Sequence, residues 1–120
     1  MIEIRMETKR LKLCIKGHAT AEETKQHKEI CAAASALAQS LMYSISKYDD
    51  VQKAVKSIQY RPDPGDLFLL VIPESWADVV MKHRFKVYGD GLELLAKSHP
   101  YSVTMIRDGE RILPDKEDGQ

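Results

Sequence analysis

Between Lys16 and Ile30 the hydrophobic period of the chain changes from two to alternating steps of three and four, and that change restricts the folds open to it. Ile2, Ile4 and Met6 alternate with Glu3, Arg5 and Glu7. After a polar turn at Thr8 to Arg10, Leu11, Leu13 and Ile15 alternate with Lys12, Cys14 and Lys16. Period two belongs to strands with one buried face, so the two runs predict a hairpin. Ile30, Ala34, Leu37, Leu41, Ile45 and Tyr48 then define one helical face, which predicts a helix over about 30–47 ended by Asp49-Asp50. Its opening, Cys31-Ala32-Ala33-Ala34-Ser35-Ala36, is small enough for a helix to approach a sheet closely.

A similar set of signals follows. Val51 to Tyr60 leads into the turn-rich Arg61-Pro62-Asp63-Pro64-Gly65-Asp66 and reads as an edge strand entering a hairpin. Leu67 to Ile72 is a short continuous apolar run, the pattern of a central strand covered on both faces. Pro73 stops it, and Ser75 with Asp78 has the spacing of a capping box for a second helix carrying Val80, Val87, Leu92 and Leu95, weakened by Gly89 and Gly91. His99-Pro100 breaks that helix, and Tyr101, Val103 and Met105 alternate as a last strand. The order β-β-α-β-β-α-β predicts an α/β two-layer sandwich, a mixed sheet of about five strands with two helices packed on it. The 120 residues suit a single domain, expected over 1–106, with a polar C-terminal tail over 107–120.

Charge and composition exclude several classes of function. Lys plus Arg and Asp plus Glu are 18 each, so no net field recruits nucleic acid or an anionic membrane. The longest apolar run, Leu67 to Pro73, is far short of the roughly 20 residues a bilayer requires. Met1-Ile2-Glu3-Ile4-Arg5 lacks the apolar stretch of a signal peptide, so a cytoplasmic protein is expected. Two cysteines, Cys14 and Cys31, are too few for a disulfide framework or a four-sulfur zinc site. No histidine–acid group has metal-ligand spacing and no phosphate loop is present, so neither metal nor cofactor is expected.

One local pattern carries chemistry: Gly17-His18 at a strand end, the polar segment Ala19 to Glu29, and Cys31 at the start of a helix. A thiol in a first helical turn meets the positive end of the helix dipole, which favours thiolate, and the free backbone N–H groups there can receive an oxyanion. A histidine held by a strand end can act as base toward that thiol and as acid toward the leaving amine. The plainer alternatives are a small buried hydrophobe at Cys31 and a turn residue at His18. Cys14 lies mid-strand and reads as a structural thiol, with a redox link to Cys31 as the alternative. His27 reads as a solvated loop residue, a second base or a substrate contact. Lys82-His83-Arg84-Phe85-Lys86 reads as a solvated helix face or a basic docking patch, and Trp76 as a core or dimer-interface anchor.

Gly17-His18-Ala19 and, thirteen residues after His18, Cys31-Ala32-Ala33-Ala34-Ser35-Ala36-Leu37 together resemble the ribosomal-processing cysteine protease family Prp. The resemblance is close over Gly17 to Leu41 and extends in element order over about 1–106. It implies a small α/β homodimer that removes an N-terminal extension from a large-subunit ribosomal protein, the precursor being the peptide substrate. Relatives that serve phages imply a phage structural protein as another substrate. By the same likeness His18 is the general base, Cys31 the nucleophile, Ser35 the supporting serine one turn later, and Gly17 the residue that permits the tight strand exit. His27, Lys28 and Glu29 then belong to the substrate loop. No direct contact with nucleic acid or membrane is implied. The family's loop is rich in glycine and carries an acid three residues before the cysteine; here Thr20 to Lys28 contains no glycine and Lys28 takes the acid's place. The contrasting reading is a non-catalytic module of the same fold that binds a ribosomal or virion-assembly partner through Lys82 to Lys86. With few apolar side chains to bury, Ala19 to Glu29 is expected to be mobile without substrate. A rigid helix from Thr20 into Ile30 is the competing outcome.

Overall fold

In the computed structural model, which describes residues 1–17, 25–63 and 65–114, two helices cover one face of a mixed six-stranded sheet. The elements are β1 (Ile2–Glu7), β2 (Lys12–Lys16), α1 (Lys25–Gln52), β3 (Val55–Asp63), β4 (Asp66–Pro73), a 3₁₀ turn (Ser75–Ala77), α2 (Asp78–Ser98), β5 (Val103–Arg107) and β6 (Glu110–Arg111). The sheet order is β3-β4-β2-β1-β5-β6. β1 runs parallel to β5, and the other neighbours are antiparallel. The α/β class, the expected element order and the β1–β2 hairpin are all present. The count rises from about five strands to six because β6, two residues long, folds back on β5. Sheet pairing therefore continues past 106, into the segment expected to be tail.

One-sided burial organises the sheet. Ile2, Ile4 and Met6 of β1, Leu13 and Ile15 of β2, Leu67, Leu69 and Val71 of β4, and Val103 and Met105 of β5 join a single core with both helices. β4 is therefore not covered on both faces. Phe68 and Leu70 alternate with its core residues as half-buried side chains, and Ile72 is exposed on the open face. The continuous apolar run arises because this open face is itself partly apolar.

Both helices differ from the expectation in register or extent. α1 already includes Lys25 to Glu29, because His27, Ile30 and Ala34 follow the buried stripe that Ala38, Leu41 and Ile45 continue. At its other end α1 outlasts Asp49-Asp50 and stops where Lys53 adopts a left-handed φ of 55°. Asp49 Oδ1 there accepts a hydrogen bond from Val55 N at 2.8 Å. α2 begins at Asp78 after a 3₁₀ turn, without the expected Ser75 cap. Its buried residues are Met81, Phe85, Gly89, Leu92 and Ala96, so Val80 and Val87 do not form the core face. Gly89 and Gly91 both lie inside this helix. A Cβ on Gly89 would stand 2.6 Å from Met6 Sδ, and one on Gly91 3.1 Å from Leu37 Cδ2, so both glycines permit close packing.

The exit of β2 has the strictest backbone requirement. Gly17 has φ +87°, and a Cβ there would collide with the Met1 carbonyl oxygen, while its N–H donates to Gly65 O at 3.0 Å. Gly109 has a similar φ of +83° with no atom within 4 Å of an added Cβ. Gly109→Ala is therefore expected to cost about 1–2 kcal/mol, the left-handed penalty alone. Gly17→Ala should cost more, and urea unfolding of the two variants compares them. Equal losses would show that the contact with Met1 contributes nothing.

Candidate active site

Cys31 lies on the flank of the α1 stripe that packs into the core, half-buried and reduced, against a cluster containing Ile30 and Ala34. Its place in the helix overturns the expected dipole arrangement. An α-helix leaves only its first four N–H groups without internal partners, and with α1 reaching back to Lys25 the N–H of residue 31 belongs to the helical ladder. The dipole's influence is likewise confined to the first turn. Free helix N–H groups therefore do not form an oxyanion site at Cys31.

Helical spacing defines those neighbours. His27 and Lys28 precede Cys31 by four and three residues, and Ser35 follows it by four, all within side-chain range on a helix surface. His27 is buried at 6% exposure, which corrects its reading as a solvated loop residue. Lys28 and Glu29 are exposed and helical, and Ser35 is half-buried. The described part of the expected mobile segment, 25–29, is thus the start of α1. The spacing His27–Ile30–Ala34 continues the helical period in the sequence, but the histidine at its start is not apolar.

The other parts of the expected constellation are distributed differently. Gly17 follows β2 two residues after Ile15, and Ile15 and Ile30 belong to the same core, so one apolar cluster anchors both the end of β2 and the helix that carries Cys31. His18 lies outside the described residues. Cys14 faces the open side of the sheet, in a cleft of about 350 Å³ lined also by Arg5, Glu7, Arg10, Lys12 and Ile106. The sheet separates it from α1, which removes the redox pairing of Cys14 with Cys31. The basic run does not form one solvated face either: Phe85 is fully buried and the half-buried Arg84 turns toward α1, while Lys82 pairs with Asp78 at 2.7 Å and His83 and Lys86 are exposed. Among the described residues, no group of three or more His, Cys, Asp and Glu side chains is placed to hold a metal ion. Among them, no helix is long and apolar enough to cross a membrane.

Residues 1–104 match the family model described as cysteine protease Prp, and the chain belongs to that family. The sequence matches none of the curated proteins. Among solved structures, SMU.848 from Streptococcus mutans superposes with a TM-score of 0.62 at 18% identity, covering 88% of this chain and 90% of the other. The essential ribosomal processing protease Prp from S. aureus, solved in complex with a substrate peptide, gives a TM-score of 0.61 at 14% identity, covering 89% and 99%. The same enzyme with a covalently linked product peptide gives 0.59 at 15% identity, again covering 89% and 99%. At these identities the superpositions establish a shared fold.

Proposed function

We propose that this chain is an endopeptidase that removes an N-terminal extension from the precursor of a large-subunit ribosomal protein, with Cys31 as nucleophile and His18 as general base. The observation that carries the reading is the family match over 1–104, which includes Gly17-His18 and the Cys31 helix in one domain. The half-exposed position of Cys31 supports it, because a nucleophile must be reachable. The ribosomal processing activity named for the S. aureus neighbour supports the substrate class. In the reaction His18 takes the proton from Cys31 Sγ, and the thiolate attacks the scissile carbonyl carbon. As the C–N bond breaks, His18 returns that proton to the departing amine and a thioester remains. Water then hydrolyses the thioester, restoring the thiol. Ser35 supports the thiol from the next turn, and the exposed Lys28 and Glu29 border the substrate ahead of it on α1, while His27 faces the core. The protein acts in the cytoplasm, where such precursors are made.

Cys31→Ala exchanges one small half-buried side chain for another, so the fold should persist while cleavage of the precursor falls to background. His18→Ala should lower the rate by about 10²–10⁴-fold, the usual contribution of a positioned base. Both are read from the shortening of the ribosomal precursor on a gel or by mass. Cleavage by Cys31→Ala at the wild-type rate would exclude the assignment. Absence of cleavage by the wild-type chain would favour the non-catalytic module.

The open face of the sheet supports a homodimer. Phe68, Leu70 and Ile106 are half-buried there and Ile72 is 46% exposed. Lys12 stands opposite Glu7, and Lys16 opposite Glu3, so the face carries both signs of charge and suits a second copy of itself. Trp76, read as a core or dimer-interface anchor, remains 55% exposed. Sedimentation at micromolar concentration should show a dimer, and Phe68→Glu should raise its dissociation constant at least about tenfold. A wild-type monomer, or a variant that dimerises as tightly as wild type, would contradict this assignment.

A further inference from the structure

We infer that the outward groove between α1 and α2 is a docking site for an amphipathic helix of a partner protein, one that presents a single carboxylate between apolar side chains to Arg84. The groove holds about 570 Å³ and is lined by Ser44 of α1 and by Val79, Val80, His83, Arg84, Val87 and Tyr88 of α2. A second cleft of about 350 Å³ adjoins it through Ser44 and Arg84 and adds Lys47, Tyr48, Val51 and Gln52. The apolar side chains are open to solvent, with Val79 76%, Val87 51% and Val51 75% exposed.

Arg84 stands at the junction of the two clefts. It donates to Ser44 Oγ, and its guanidinium lies 4.8 Å from the centroid of the Tyr48 ring. Its Nε is buried without a hydrogen-bond partner, and among the described residues no carboxylate pairs with it. The nearby Asp78 is engaged by Lys82. Arg107 shows how the same protein treats its other poorly exposed guanidinium. At 12% side-chain exposure it has Asp90 at 2.8 Å, Glu93 at 3.4 Å and the Lys86 carbonyl at 3.2 Å. A half-buried cation surrounded by apolar side chains is costly unless a counter-charge meets it, and a partner carboxylate would supply that charge with charge-assisted hydrogen bonds.

The occupant follows from symmetry and spacing. A two-fold contact through this groove would bring Arg84 toward its own copy, a repulsion that the lining offers no acid to offset, so a second copy does not fit. Val79, His83 and Val87 recur at steps of four and form a ridge, as do Val80, Arg84 and Tyr88, which is the relief that receives another helix. Ser44 lies thirteen residues beyond Cys31, about 20 Å along α1. The groove is therefore distinct from the site around the thiol, and its assignment does not depend on the protease reading.

The test uses the full chain and a short capped amphipathic peptide of Ala, Leu and Lys with one Glu in the middle of its leucine stripe, beside the same peptide with Gln there. Titrations followed by amide chemical shifts should place the Glu peptide on residues 44–51 and 79–88. It should bind about tenfold or more tightly than the Gln peptide, the usual scale of a charged hydrogen bond. Arg84→Met should remove that preference while keeping the apolar contact. Val87→Asp, a change at an exposed position, should weaken both peptides. If Arg84→Met does not fold, the Glu-to-Gln comparison on the wild-type chain and the Val87→Asp result decide the matter. Equal binding of the two peptides, shifts that map elsewhere, or binding of neither would overturn the proposal. So would self-association that Val87→Asp abolishes.

Discussion

The rest of the structure depends on the burial of a single face of the sheet. The inward side chains of β1, β2, β4 and β5 close against α1 and α2 in one core. Because side chains alternate along a strand, that choice of face also decides what each strand shows to the other side. Cys14, Phe68 and Ile106 are turned away from the helices, while α1 is set down on its 27–30–34–38–41–45 stripe. Cys31 sits next to that stripe, so the packing that fixes α1 also fixes how far the thiol is exposed. Gly17 is tied to the same framework through Met1 and Gly65 at the end of β2.

The position of Cys31 two turns into α1 changes the chemical account more than any other finding. A thiol in the first helical turn would take its polarisation from backbone dipoles. Here the backbone around residue 31 is already hydrogen-bonded within the helix, and His27, Lys28 and Ser35 stand at helical neighbour spacing from Cys31. Lys28 places a positive charge three residues before Cys31, and the buried His27 an imidazole four residues before it.

Much of the fold was legible in the sequence because strand period and helix period are carried by different residues at each step. β1 and β2 alternate without interruption, and the β3–β4 hairpin was marked by its proline- and glycine-bearing turn. Three features were hidden for physical reasons. The first turns of α1 are polar on every side except at His27, which occupies a core position without being apolar. The true face of α2 has Gly89 at its centre, so the stripe Met81, Phe85, Gly89, Leu92, Ala96 loses its signal where the packing is closest, while Val80 and Val87 line the outer groove. β4 reads as doubly covered because its outward residues Phe68, Leu70 and Ile72 are apolar too. For the site, residue types and spacing brought Cys31 and Ser35 to one helix. They did not reveal that Arg84, in the middle of a basic run, turns toward α1 as a half-buried charge.

The central claim is that Cys31, activated by His18, is the nucleophile of a peptidase. Its most direct test is the intact mass of the protein after exposure to a chloromethyl ketone built on the residues that precede the cleavage point of the ribosomal precursor. The account predicts one covalent adduct, located on Cys31 by peptide mapping, absent from Cys31→Ala and formed far more slowly by His18→Ala. An adduct on Cys14, or labelling of Cys31 at an unchanged rate in His18→Ala, would contradict it.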